Sequence, residues 1–297
     1  MKKGITLGML LSILAAGGFA AESDGIFSWK LGKLAIYMLV ESQRDGNAGI
    51  LVGADPSVIQ QYIPESGFKH TANAFLIKAP DRNILVDTGT GSGGIIIEKM
   101  KQLGVTPEQV DAVLITHLHG DHFGSLQKDG KAVFTKARVY VSFRDRDYFT
   151  KTNVNQGAVA ALNPYGPRVV TFDPGELGKN INDLIPGIKP FAAYGHTPGH
   201  TVFLVEDSGE KFLIAGDFVH VALVQFPVPE ISASYDVDPK AAAASRKQIM
   251  DYAAKNKIPI GGMHIVYPGI GNVEVAASTQ ASASKEAGNG FRFVPMK

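Results

Sequence analysis

From Thr116 to His122 the chain reads THLHGDH, so three of its eight histidines and an aspartate occupy residues 117 to 122. A His-x-His pair on extended backbone points both imidazoles to one side, because alternate residues of a strand share a face. The Asp-His pair that follows, once the chain bends, offers a carboxylate and a third imidazole to a neighbouring point. Two divalent cations a few ångströms apart meet that demand. A polar loop whose histidines cluster by chance fits poorly. Random placement at these frequencies gives the pattern on the order of once in several thousand chains of this length. The chain has no cysteine, so a metal site must use nitrogen and oxygen donors. That donor set suits zinc, and manganese, cobalt or iron as well.

The elements around the cluster are those needed to hold it. DAVLIT (111–116) has the pattern of a buried strand, which puts the histidines on a loop at its C-terminal edge, where open α/β sheets place ligands. NAFLIKAPDRNILVDTG (73–89) predicts a β-hairpin ending at Asp87, and GGIIIEKMKQLG (93–104) a helix stopped at Gly104. HTVFLVEDSGEKFLIAGD (200–217) predicts a second hairpin. Laid over the first, it pairs Phe75 with Phe203, Leu76 with Leu204 and Leu85 with Leu213, which suggests two related βα halves. Residues 238–257 form the clearest helix, with Asp238 as N-cap and Pro239 in the first turn. IPIGGMH (258–264) reads as a strand delivering His264, and FSWKLGKLAIYMLVES (27–42) as one strand followed by a loop. Residues 53–70 have weak periodicity and are placed to cover a site. The segment 132–142 is strand-rich, NPYGPR (163–168) and DPGELGKN (173–180) are loops, and 276–290 is a Gly- and Ser-rich excursion.

Order and spacing of LVDTG (85–89), THLHGDH (116–122), GHTPGH (195–200), AGD (215–217) and GMH (262–264) resemble the metallo-β-lactamase superfamily across about residues 70 to 265. LNPY (162–165), VPEISASYDVDPKAAAASRK (228–247) and HIVYPGIG (264–271) are similar to its methyl parathion hydrolase-like group. The resemblance implies an α/β (α+β) chain folded as a four-layer αβ/βα sandwich of the metallo-β-lactamase type. It also implies that His117, His119 and His196 hold one metal, that Asp121, His122 and His264 hold the other, and that Asp217 bridges them. Asp87 and His200 are then expected behind the ligands rather than on the metal. His220, three residues past Asp217, is equally compatible with facing the site or with a structural role, and His70 reads as a loop residue.

Two metals sharing a water lower its pKa from near 16 towards about 7, so the expected chemistry is hydrolysis by a metal-bound hydroxide, with Asp121 and Asp217 orienting the nucleophile. Protonation competes with metal for imidazole, so acid is expected to inactivate. Phe123, Tyr148, Phe149 and Phe226 are candidates for an apolar substrate pocket. Phosphotriesterases of the resembling group use aromatic leaving-group pockets that include tryptophan, whereas Trp29, the sole tryptophan, lies far upstream. An ester or lactone suits a site with no evident general acid better than a phosphotriester does. A β-lactamase, a nuclease and a non-catalytic metal-binding module are the alternatives.

Lys2 and Lys3, an apolar stretch, and small residues Gly18 and Ala20 before a cut after Ala20 predict a signal peptide over 1–20, hence periplasmic or secreted location. Residues 21–297 are then a single metallo-β-lactamase-like hydrolase domain. A net charge of +1 with interspersed signs shows no footprint for nucleic acid or anionic membrane. A small-molecule substrate is expected, and a homodimer is compatible.

Overall fold

Strands that alternate faces need something apolar on each side, and this chain supplies it with two sheets and flanking helices. In the computed structural model, which describes residues 25–276 and 290–296, the first sheet has seven strands in chain order. They are β1 (Ile26–Leu31), β2 (Leu34–Asp45), β3 (Lys69–Lys78), β4 (Asn83–Val86), β5 (Ala112–Leu114), β6 (Arg138–Ser142) and β7 (Val169–Phe172). The second sheet has six, again in chain order: β8 (Ile188–Ala192), β9 (Thr201–Asp207), β10 (Glu210–Ile214), β11 (Ile260–Gly261), β12 (Ile270–Val275) and β13 (Phe291–Pro295). The expected signal peptide and all but the two ends of the expected excursion 276–290 lie outside the described residues.

The two hairpins repeat each other in register as well as in sequence. Leu76 faces Leu85 across β3–β4, and Leu204 faces Leu213 across β9–β10. Leu76 and Leu85 turn outward, into a core shared with Ile96 and Met100 of the helix Ile95–Gln102. Leu204 and Leu213 also turn outward, into a core with Ile249, Met250 and Ala253 of the helix Pro239–Asn256. Their neighbours Phe75, Ile77, Ile84, Val86, Phe203, Val205, Phe212 and Ile214 meet between the sheets. Period-two alternation has therefore sorted each strand into an inner and an outer face, giving helix, sheet, sheet and helix layers. Each hairpin is followed by a helix and then a parallel strand, β5 beside β4 and β11 beside β10.

Five stretches differ from, or add to, what their sequence predicts. The stretch 27–42 is not one strand: Gly32, at φ +55, reverses the chain, and the Lys33 amide donates to Asp207 Oδ2 at 2.6 Å, tying the turn to the second sheet. The strand before His264 shrinks to Ile260–Gly261, and His264 itself lies in the following turn. In 132–142 only Arg138–Ser142 is a long strand. NPYGPR is a 3₁₀ segment anchored by Tyr165, whose hydroxyl donates to the Leu126 carbonyl at 2.7 Å. Residues 53–70 contain a short helix, Pro56–Tyr62, capped by Asp55 accepting from Ser57 N at 2.8 Å.

Candidate metal centre

The chain ends of β5, β10 and β11 converge on one point between the two sheets. Beyond β5, His117 and His119 lie in the connecting loop, His119 on extended backbone, and Asp121 and His122 on a single helical turn, Gly120–Phe123. His196 and His200 come from the loop between β8 and β9, Asp217 from just past β10, and His264 from just past β11. Two glycines permit this convergence. Gly195, at φ +124, packs its backbone against Ala241 and Ala242 at the start of the helix Pro239–Asn256. Gly216, at φ +56, lies against the His200 ring, where any side chain would collide.

The seven residues expected to hold metal are brought together. His117 Nε2, His119 Nδ1 and His196 Nε2 form a triangle with sides of 3.1, 3.0 and 3.1 Å. A tetrahedral ion about 2.0–2.1 Å from three nitrogens sets them about 3.3 Å apart, so the triangle fits one ion. Asp121, His122, Asp217 and His264 form a second group able to hold a metal. Asp217 Oδ2 belongs to both neighbourhoods: it lies 2.9 Å from His264 Nε2, 3.3 Å from His122 Nε2, 3.4 Å from His196 Nε2 and 3.6 Å from His117 Nε2. Asp217 Oδ1 and His122 Nε2 are buried without a hydrogen-bond partner. Such orphaned polar atoms are costly, and cations would satisfy both.

Behind the cluster, the far ring nitrogens are held. His122 Nδ1 donates to Asp87 Oδ2 at 2.7 Å, His264 Nδ1 to the Thr71 carbonyl at 2.7 Å, and His196 Nδ1 to Asp236 Oδ1 at 2.8 Å. Thr116 donates its hydroxyl to Asp87 at 2.7 Å and accepts from His117 Nδ1 at 3.1 Å. Asp87 occupies a left-handed conformation, φ 58, which aspartate tolerates better than most residues. His200 donates from Nδ1 to the Ala193 carbonyl and accepts the Asp217 amide on Nε2 at 3.0 Å. It therefore stands behind the metal groups. Each such contact fixes a ring's tautomer and aim.

Electrostatics favour cations here. Burial would raise the Asp217 carboxyl, but the surrounding imidazoles, His122 and His264 foremost, hold it well below the usual carboxylate range. Burial, with His196 beside it, pulls His119 down to about 3, so its lone pair is open to a metal at neutral pH. His122 is buried, yet Asp217, Asp121 and Asp87 lift it well above an ordinary imidazole.

Several residues at the centre were not legible in the sequence. Asp236 holds His196 on one oxygen, and on the other accepts from Ala233 N at 2.9 Å. Arg246 lies 3.6 Å from that second oxygen and donates to the carbonyls of Phe218, Pro229 and Ile231. Asp145, fully buried, accepts from Leu118 N, Thr197 Oγ1 and Gly199 N, stitching the His117–His119 stretch to the His196 loop. His70, expected in a loop, lies instead on β3 and lines the cavity over the cluster, as does His220, for which the sequence leaves facing the site and a structural role equally open.

That cavity, of about 440 Å³, is lined by His119, Asp121, Asp217, His264, Arg44 and Tyr235 among others. A second cavity of about 650 Å³, lined by Phe68, Leu223, Phe226, Phe291 and Phe293, shares His220 and His264 with it. Of the four aromatics expected at a pocket, Phe226 lines the apolar cavity. Phe123 and Phe149 are instead core residues of the first outer layer, with half-buried Tyr148 packed on them, because the helical turn after His119 points Phe123 inward. Trp29 lies on β1, along a depression with Lys211 and Pro259, away from the cluster.

A family model described as the metallo-beta-lactamase superfamily matches residues 68–254. The chain is 30% identical over 168 residues to the probable metallo-hydrolase YflN of Bacillus subtilis (strain 168), covering 50% of this chain and 61% of YflN. The chain thus spans under two thirds of that relative's length. The crystal structure of the hydrolase AbOPH superposes with a TM-score of 0.79 at 29% identity, covering 93% of this chain and 99% of that one. The dizinc quorum-quenching lactonase AidC superposes at 0.74 and 24% identity, covering 92% and 98%, a likeness of fold.

Proposed function

The chain belongs to the metallo-β-lactamase superfamily, and from that premise we propose that it is a dinuclear metal-dependent hydrolase of esters or lactones that carry an apolar group. The observation that carries the reading is Asp217, one carboxylate oxygen shared between two metal-compatible groups at the floor of an open cavity. His117, His119 and His196 would hold one ion, Asp121, His122 and His264 the other, with Asp217 between them. Divalent ions there supply a nucleophilic water at neutral pH and a positive charge opposite the oxygen that becomes negative. Asp121 orients the attacking water by accepting its hydrogen bond. Zinc suits the donors best, since each triangle side is near a tetrahedral edge.

The apolar cavity beyond His220 and His264 favours a hydrocarbon-bearing acyl or alkoxy group. Within the superfamily we place the chain nearest the methyl parathion hydrolase-like group, on the segments LNPY, 228–247 and 264–271. The position of Trp29, away from both cavities, favours esters and lactones over aryl phosphotriesters. The substrate is taken as a small molecule, and residues 1–20 as an export signal.

The experiment compares initial rates of the zinc-reconstituted protein on an aryl ester, an acyl-homoserine lactone, a methyl phosphotriester and a chromogenic cephalosporin. Ester or lactone turnover should lead, vanish on chelation, return with metal, and fall as acid protonates the imidazoles. A lead for the phosphotriester or cephalosporin would overturn the bond assignment. Activity that survived thorough metal removal would overturn the whole reading.

A further inference from the structure

We infer that Arg44 makes this centre select esters or lactones that carry a carboxylate, by holding that carboxylate at the wall of the cavity over the cluster. The inference rests on the hydrolase reading of the same centre and names the charge its substrate bears. It begins with an irregularity in β2. Up to Val40 the strand pairs with β3 in one register, Val40 facing Asn73, and beyond it in another, Ser42 facing Ala72 and Arg44 facing His70. Glu41 is the extra residue of a bulge, and a slip of one residue turns every later side chain to the opposite face. Val40 packs between the sheets, and Asn73 donates to the Gly262 carbonyl just past β11. An unbroken register would send Ser42 and Arg44 the same way. With the bulge they join Ala72 and His70, and all four line the cavity over the cluster. The bulge is fixed from behind: Glu41 is buried, its Oε2 accepts the Thr90 amide at 2.7 Å, and Gly89, at φ +70, leaves the space its carboxylate fills.

The guanidinium delivered there is left without a protein partner: among the described residues it makes no ion pair or hydrogen bond. The acids beside it on β2 are already engaged, Asp45 by Lys69 at 2.6 Å and Glu41 by Thr90. An arginine's planar fork matches a carboxylate through two parallel hydrogen bonds. The order of the rings sets where the two ends of such a substrate lie. His264 packs against the rings of His70 and His220, with centroids 4.7 and 5.0 Å away. His70 is the cross-strand neighbour of Arg44, and His220 borders the apolar cavity. A substrate with its scissile bond over Asp217 then has its apolar part beyond His220 and its carboxylate at Arg44. A neutral substrate gains nothing from this cation.

The test uses two esters of equal size, para-carboxyphenyl hexanoate and para-carbamoylphenyl hexanoate, with the zinc-loaded full-length protein and its Arg44→Gln and Arg44→Glu variants. Arg44 is exposed, so both variants should fold as wild type does. KM for the carboxyphenyl ester should rise about tenfold in Arg44→Gln and further in Arg44→Glu, with kcat little changed, while KM for the carbamoyl ester stays within about twofold. The gap between wild type and Arg44→Gln should narrow as salt is raised. The amide counterparts, para-hexanoylaminobenzoate and para-hexanoylaminobenzamide, titrated by calorimetry, should show the same pattern in Kd. A carboxylate preference that survives in Arg44→Gln would belong to the metals and overturn the inference. Equal losses on both esters, or no loss, would overturn it too, leaving Arg44 as a solvated charge. The Kd pattern in a protein inert to both esters would uphold Arg44 as the carboxylate-binding residue while refuting the proposed bond.

Discussion

Asp236 and Asp87 do for His196 and His122 what no liganding atom can do for itself: each accepts Nδ1–H and turns Nε2 inward. Replacing Asp236 by Ala should weaken metal binding about 10–100-fold, measured by competition with a chromogenic chelator. Arg246, buried and with its pKa lowered to about 10 by desolvation, holds three carbonyls of residues 218–231 besides lying near Asp236. Arg246→Met should therefore cost both stability and metal affinity, whereas Asp236→Ala should act mainly on metal. The resemblance pointed to all seven clustered residues, four of them within the local run THLHGDH and three in the short motifs GHTPGH, AGD and GMH. Asp236 and Asp145 escaped it because each acts on a partner far along the chain, 40 residues away for His196 and 54 for Gly199. Phe123 and Phe149 pack in the first outer core, a placement that an aromatic within a polar stretch has no periodicity to reveal.

Elements were legible where a repeating pattern met a capping signal. The helix Pro239–Asn256 begins at its Asp238 N-cap, and the paired leucines of the two hairpins sit in equivalent registers. Short pieces were missed, since a two-residue strand such as Ile260–Gly261 carries no period, and a single Gly32 decides whether 27–42 is one strand or two. Connections between elements are testable in the same way. Asp145 joins the loops bearing His117–His119 and His196, so Asp145→Ala should weaken metal binding about 10–100-fold while leaving secondary structure intact by circular dichroism. Tyr165 anchors its 3₁₀ segment, and burial pushes its phenol from 10.0 up to about 12. Its folded pKa exceeds the unfolded value, so the stability it contributes is full below pH 10 and is lost as pH rises through about 12. Phenolate absorbance should show one of the nine tyrosines titrating near 12, absent in Tyr165→Phe.

Across the whole molecule the metal-compatible residues are divided between the sheets, with His117, His119, Asp121 and His122 from the first and His196, Asp217 and His264 from the second. An ion held by both binds only the folded chain. Free zinc at about 100 times its Kd should then add about 2.7 kcal/mol, and chelation should lower Tm, as seen by thermal scanning across a zinc series. A Tm indifferent to zinc would count against the shared centre. Intact mass after secretion from a bacterial host should place the new N-terminus at Ala21. The two βα halves were readable because the hairpin pattern recurs and the four-layer arrangement followed from the resemblance, while the joint between sheets depends on contacts that no local window contains. Among the described residues the two cavities share His220 and His264; His119, Asp121 and Asp217 line one, and Leu223, Phe226, Phe291 and Phe293 the other, apolar one. Mutations there can drift and be selected without touching the metal-compatible residues. In evolutionary terms the proposed hydrolase would keep what it does to a bond apart from which molecule it accepts, so new preferences would arise by single steps on an unaltered metal centre.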